Sequence, residues 1–365
     1  MSSPLTPLAH LGSMAQDGLR TVVEAGLKIA RGPVQQLPRP VISVGNVAMG
    51  GTGKTPVAAE LTRLLCREGF LCSLLSRGYR GLRRHEPLVV SDLQRIHCGP
   101  VLAGDEPFLL ARQLPGCPVI VGANRHEAGL AAMRLLEPHV KGPHIYVLDD
   151  GFQHHRLHRD VDIVLLDASD PWSGGRLWPW AGFRRGLREP LRALERARVI
   201  VLTRADRIES SQLEELAKEV ARRAPERPIF AARQRLAGWS RVDRRELLPM
   251  DALDGARVLA FAGIARPERF FEDLEDLGLE VRSRRSFLDH HAFDRDDLAS
   301  LLNEAEEIGA TALVTTEKDA VRLPTPPPDR LPIRVLRSRA SFDEPEQLMR
   351  CLLSMIPMTS DGQRR

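Results

Sequence analysis

The sequence predicts an α/β fold: a mostly parallel sheet flanked by helices, followed by a second, smaller α/β unit. Three observations lead there. Short continuous apolar runs alternate with helical stretches, a glycine-rich loop stands between one such run and a helix, and the pattern restarts beyond residue 250. Strands covered on both faces read as continuous rather than alternating apolar runs, which is the mark of a parallel sheet. The 365 residues, 43% hydrophobic and 27% charged, are enough for two such units with real cores.

Residues 1–37 read as one amphipathic helix. Leu19, Val22, Val23, Leu27 and Ile29 supply an apolar stripe, Arg20, Lys28 and Arg31 flank it, and Gly32-Pro33 closes it. Such a helix is too short to span a bilayer and suits the headgroup plane, so peripheral attachment to an anionic membrane surface is expected. Apolar runs follow at 41–44, 72–75, 119–121, 145–148, 162–166 and 199–202. They place a first domain at 38–230, closed by a charged surface helix at 208–226. Residues 231–250 have mixed charge without a strong period and read as a linker. A second series then fills 251–356, with apolar runs at 258–261, 312–315 and 333–336 and helices at 267–277 and 295–308. Residues 357–365 read as a disordered tail.

Composition excludes several classes. Five scattered cysteines without a C-x-x-C pair argue against a disulfide framework or a zinc knuckle and for a reducing compartment. No apolar run reaches 18 residues, and the N-terminus lacks the core of a signal peptide. The net charge of +4 and pI of about 9.0 suit nucleic acid, anionic lipid or a phosphorylated substrate alike. Dispersed basic residues and the absence of a nucleic-acid motif speak against the first.

The strongest chemical signal is Gly50-Gly51-Thr52-Gly53-Lys54-Thr55, after the run 41–44 and ahead of a helix carrying Val57, Leu61, Leu64 and Leu65 on one face. Strand, glycine loop and helix together make a P-loop. Backbone N–H groups and the helix N-terminus cradle phosphate, Lys54 reaches the β- and γ-phosphates, and Thr55 holds Mg²⁺. The first glycine of the usual G-x-x-x-x-G-K-[ST] pattern falls on Ala48, so the loop is of the G-G-x-G-K-T kind. The fold class is therefore P-loop NTPase-type.

Asp149 and Asp150 follow the run 145–148, where such proteins keep the acid that positions the metal; a plain Asp-Asp-Gly turn gives the same letters. His154, His155 and His158 lack a fourth zinc ligand at a typical spacing. Asp105 and Glu106 open a helix, either as acids favouring its dipole or as a base for an attacking hydroxyl. Asp289-His290-His291 leaves the same choice between structure and catalysis. Arg77 and Arg125 each follow a strand on the ligand edge and are candidates for phosphate contact or ordinary surface arginines. Trp172, Trp178 and Trp180, interleaved with Arg176, Arg184, Arg185 and Arg188, suit a membrane interface, a phosphorylated amphiphile, stacked bases or simple core packing.

Taken in order, these motifs resemble the tetraacyldisaccharide 4′-kinases of lipid A synthesis. The resemblance runs from about residue 38 to 353. It rests on Ile42-Ser43-Val44-Gly45-Asn46 leading into Gly50–Pro56, Ser76-Arg77-Gly78-Tyr79, Gly104-Asp105-Glu106-Pro107 and Asp149-Asp150-Gly151-Phe152-Gln153-His154. Leu187-Arg188-Glu189-Pro190, Phe261-Ala262-Gly263-Ile264, Asp289-His290-His291 and Thr315-Thr316-Glu317-Lys318-Asp319-Ala320 complete it. The segment 180–186 is longer and more basic than the pattern.

The resemblance implies transfer of the γ-phosphate of ATP, with Mg²⁺, to the 4′-hydroxyl of an acylated disaccharide 1-phosphate. It implies a site at the cytoplasmic face of the bacterial inner membrane. It makes Asp105 the catalytic base with His290 in support, Asp149 and Asp150 the metal's acids, and Glu106 and Gln153 active-site neighbours; Arg77 and Arg125 stay substrate candidates on their strand-end positions alone. The competing reading is a regulatory or metal-insertion NTPase with the same loop and no small acceptor.

Overall fold

The computed structural model describes residues 33–48, 52–79, 81–82, 86–136, 142–172, 186–242, 246–324 and 330–357. The expected helix at 1–37, Gly50, Gly51, Trp178 and Trp180, and nearly all of the tail therefore lie wholly or mostly outside the described residues.

Among the described residues the chain forms β1 (Val41–Asn46), β2 (Leu71–Ser76), β3 (Leu88–Ser91), β4 (Val119–Val121), β5 (His144–Asp149) and β6 (Val161–Asp167). It continues with β7 (Val199–Thr203), β8 (Ile229–Arg241), β9 (Arg257–Ala262), β10 (Glu280–Ser286), β11 (Ala312–Thr316) and β12 (Ile333–Phe342). All twelve belong to one sheet in the order β10-β9-β11-β12-β8-β7-β6-β1-β5-β2-β4-β3. Pairing is parallel except for β3 with β4 and β8 with β12. β1, β5, β6 and β7 are buried along their whole length, as their unbroken apolar sequences require.

Two differences from the sequence reading stand out. Residues 231–250, expected as a linker, carry most of β8, a thirteen-residue strand that joins the two series into one sheet. Its charged residues hid it: Arg233, Arg235 and Arg241 alternate with Ala232, Gln234 and Ser240, and only part of the strand is buried. The end of the chain also departs from the expected 251–356 unit. Helix Pro345–Met355 turns back and buries Leu348, Met349 and Leu352 in the core that holds Val57, Leu61 and Leu65 of helix Lys54–Arg67. An apolar helical face does not encode which part of the sheet it will cover.

Across the β8–β12 pairing the strand direction reverses, so the two series are joined antiparallel. Side chains also tie the first series to the second. Arg112 donates to the Val242 carbonyl at 2.9 Å, Gln113 to Glu317 at 2.9 Å, and Arg207 to Asp273 at 2.7 Å. These ties hold the two series against each other.

Candidate active site

The C-terminal ends of β1 and β5 lie side by side, with Val44 registered to Asp149. In parallel sheets, ligands bind beyond these ends. The turn after β5 lies against β1, where Gly151 donates its N–H to the Val44 carbonyl at 3.1 Å. Gly45 permits that approach, since a Cβ there would stand 2.5 Å from the Phe152 Cβ and 2.7 Å from its backbone nitrogen.

The described part of the phosphate loop is held by two residues that the motif does not include. Asn46 donates from Nδ2 to the Ala48 carbonyl and to Thr52 Oγ1, both at 2.8 Å, and its Oδ1 accepts from Lys54 Nζ at 3.3 Å. Thr203, at the end of β7, donates to the Thr52 carbonyl at 3.0 Å. Gln153 donates to the Asn46 carbonyl at 2.7 Å and to Glu189 at 3.2 Å, so its amide is spent on clamping β1.

Lys54 Nζ lies 3.6 Å from Asp150, which Arg188 also grips at 2.8 and 2.9 Å. Although burial opposes it, Lys54 and Arg188 together hold the Asp150 carboxyl below its ordinary range. Asp149 is the opposite case. It is buried, its Oδ1 has no hydrogen-bond partner among the described residues, and burial, Glu106 and Asp150 push its carboxyl up to about 7. Buried polar atoms are normally paired. An orphaned carboxylate oxygen beside a second carboxylate, with the Thr55 hydroxyl near Lys54, is an oxygen-only donor set that fits Mg²⁺.

Arg125 is buried, close enough to these acids to feel their charge. It is 3% exposed and donates to the Gly122 and Ala123 carbonyls at 3.0 Å; burial first, then Arg77, lowers its guanidinium to about 10. Arg77 is exposed at the end of β2.

The second cluster comes from both series. Asp105 opens helix Asp105–Gln113, and Gly104 before it has φ 89°, with the Tyr79 carbonyl oxygen 2.6 Å from where a Cβ would be. Any side chain at 104 would displace the start of that helix. His290 Nδ1 reaches Asp105 Oδ2 at 2.9 Å across 185 residues of sequence. His290 itself is left-handed, φ 64°, a strained conformation for a non-glycine residue that its N–H bond to the Gly263 carbonyl at 3.0 Å helps to hold.

Arg322 Nε lies 3.6 Å from the same Asp105 oxygen, and Lys318 Nζ lies 3.1 Å from His290 Nε2. Lys318 also lies 3.9 Å from Glu106, the residue whose charge acts on Asp149, so the two clusters adjoin. His291 turns away, bonding Asp297 at 2.7 Å and stacking on Phe287. Among the described residues no group of three or more His, Cys, Asp and Glu forms a metal cage, around His154 or elsewhere.

Asn46, Arg188, Glu189, Thr203, Lys318 and Arg322 carry no catalytic signal of their own in the sequence. Asn46, Arg188, Glu189 and Lys318 stand inside motifs that carry the family resemblance, and that is the one pointer to them in the sequence.

Comparison with known proteins gives the same picture. A family model described as tetraacyldisaccharide-1-P 4′-kinase matches residues 1–357. The tetraacyldisaccharide 4′-kinase of Geobacter metallireducens is 42% identical over 290 residues, covering 80% of this chain and 80% of that one. The protein of the same name from Anaeromyxobacter dehalogenans strain 2CP-C is 44% identical over 294 residues, covering 80% and 74%. A crystal structure of the "apo" form of LpxK from Aquifex aeolicus in complex with ATP superposes with a TM-score of 0.71 at 29% identity, covering 97% of this chain and 98% of that one. The chain belongs to the tetraacyldisaccharide-1-P 4′-kinase family.

Proposed function

We propose that this protein transfers the γ-phosphate of ATP to the 4′-hydroxyl of a tetraacyldisaccharide 1-phosphate, a step of lipid A synthesis. The observation that supports this reading is the adjacency just described: Lys54 neighbours Asp150, Glu106 acts on Asp149 and lies 3.9 Å from Lys318, and Lys318 reaches the His290 that pairs with Asp105. A regulatory NTPase needs the first cluster and has no use for the second.

Lys54 meets phosphate charge as it develops in transfer, a role that electrostatic stabilisation makes large in a sheltered site. Asp149, Asp150 and Thr55 would hold Mg²⁺, which neutralises phosphate oxygens and orients them for displacement. Asp105 takes the proton of the attacking hydroxyl, and His290 holds the Asp105 carboxylate through Nδ1–H. Glu106 lines the acceptor side, and Arg77 is exposed at the cleft for an anionic group. Four of the six most exposed large hydrophobics among the described residues, Tyr79, Leu82, Val101 and Leu288, are on segments next to Asp105 and His290. Exposed apolar residues grouped this way mark contact surfaces, and acyl chains are a fitting partner.

Among the described residues no helix is long and apolar enough to cross a membrane. Attachment to the anionic cytoplasmic face of the inner membrane is assigned to the apolar stripe and basic flank of residues 1–37. Removing residues 1–31 should release the protein from anionic vesicles in flotation, whereas equal binding by both forms would place the anchor elsewhere.

The function is tested with pure protein, detergent, γ-labelled ATP and an acylated disaccharide 1-phosphate. Label in the lipid is the expected result. Hydrolysis of ATP without label in the lipid, or turnover stimulated by nucleic acid instead, would contradict the proposal.

A further inference from the structure

The segment Thr315–Ala320 is rich in polar residues that neither phosphate binding nor proton abstraction uses. After β11 the chain enters a four-residue helix, Glu317–Ala320, capped by Thr316, whose Oγ1 accepts from the Asp319 N–H at 3.1 Å. Asp319 is fully buried, accepts from the Gly263 N–H at 3.0 Å and pairs with Arg322 at 2.7 Å. Glu317 accepts from the Ser338 N–H at 3.0 Å, from Gln113 at 2.9 Å and from Arg337 at 2.8 Å. Anchored on both sides, this turn presents Lys318 to His290 at a fixed place.

The hydrogen-bond chemistry then leaves one arrangement. A lysine ammonium donates and cannot accept, and a carboxylate accepts and cannot donate. His290 stands between them, Nε2 at 3.1 Å from Lys318 and Nδ1 at 2.9 Å from Asp105. Nε2 must therefore be the bare acceptor and Nδ1 must carry the proton. We propose that Lys318 is a positioning residue for phosphoryl transfer: its ammonium fixes His290 as the neutral, Nδ1-protonated tautomer that holds Asp105.

Two consequences follow. With Nε2 occupied, His290 acts on the acceptor only through Asp105. His290 and Arg322 both approach Oδ2 of Asp105, so Oδ1 is the oxygen left among the described residues to take the hydroxyl proton. The charged groups around this chain are Asp289, at 3.8 Å from both Lys318 and His290, Glu106 beside Lys318, and Arg322 beside Asp105, with the Tyr79 ring edge-on to His290 at 6.5 Å.

This inference rests on the kinase reading, and the test separates the two. Lys318→Met removes the ammonium while keeping the stem. In the lipid-labelling assay its kcat should fall by about tenfold or more with KM for ATP within about twofold, and Lys318→Arg should recover most of the loss. The ascending limb of its kcat–pH profile should move to higher pH, because losing a neighbouring ammonium makes an added proton on the His290–Asp105 pair easier to accommodate. In a His290→Ala background the Lys318→Met change should cost less than about twofold more.

Full additivity in that background, or a kcat loss with an unmoved pH profile, would overturn the proposal. Nitrogen-15 NMR of the histidine side chains tests it even if the wild-type protein labels no lipid. An Nδ1-protonated His290 in wild type that changes state in Lys318→Met supports it, and an Nε2-protonated or doubly protonated wild-type ring refutes it.

Discussion

Beside Lys54 one buried carboxylate oxygen lacks a hydrogen-bond partner among the described residues, whereas Asp105 and its neighbours hold one another. That oxygen belongs to Asp149, whose carboxyl is raised to about 7 by burial and by Glu106 and Asp150. Asp105 has His290 at 2.9 Å and Arg322 at 3.6 Å, and His290 in turn has Lys318 at 3.1 Å. The first cluster is built to be completed by a charged ligand; the second is completed by the protein. On the proposed reading, phosphate and metal enter and leave the first site at each turnover. The base would then have to point correctly when the acceptor arrives, and a fixed network suits that.

The sharpest way to break this comparison is at Lys54. Lys54→Ala and Thr55→Ala should each reduce lipid labelling by about a thousandfold while circular dichroism stays unchanged, since both groups act on phosphate and metal rather than on packing. Near-normal transfer in either folded variant would remove the phosphate-loop assignment. His290→Ala should lose about ten- to a hundredfold in kcat with ATP affinity intact, because it removes support for the base and not the base itself.

Nucleotide-dependent stability sharpens the contrast. ATP and Mg²⁺ at about a hundred times Kd should stabilise wild type by roughly 2.7 kcal/mol in thermal unfolding. His290→Ala should keep that gain and Lys54→Ala should lose most of it. Equal gains in both variants would mean that the two clusters are not functionally separate.

A smaller effect comes from the far end of β5. His144 is 1% exposed and donates to or accepts from Ser73 at 3.0 Å, and burial, with Arg39 adding, lowers its imidazole to about 4. The unfolded chain binds this proton below about pH 6.5, whereas the folded chain refuses it until about pH 4. Stability is therefore full at neutral pH and falls as pH drops through that window. Between pH 7 and pH 5, denaturant titrations should show wild type losing about 2 kcal/mol more stability than His144→Gln.

The same division explains what could be read from the sequence. The nucleotide half was legible because its parts are contiguous: a buried apolar strand, a glycine loop and an amphipathic helix follow one another, and Asp149-Asp150 directly follows another such strand. The nine apolar runs all fall within strands. β8 and β10 are not continuously apolar, whereas β3 has an apolar run, Leu88–Val90, as long as that of β4, and no physical reason separates β3 from the expected β4. β8 and β10 carry arginines along their length, and β10 has no buried residue. Asp105 and His290 were named through family motifs, but their contact at 185 residues' separation has no local trace. Lys318 had still less, since its meaning depends on a donor–acceptor chain that exists only once three separate segments have met.

Asp105→Asn tests the central claim most directly, because the amide keeps size and helix position while removing the proton acceptor. Two readouts on one preparation suffice: ATP affinity by calorimetry and lipid labelling from γ-labelled ATP. The account predicts ATP affinity within about twofold of wild type and transfer reduced by about a hundredfold or more. Loss of ATP binding with the residual kcat spared would contradict it and move Asp105 from the acceptor to the nucleotide.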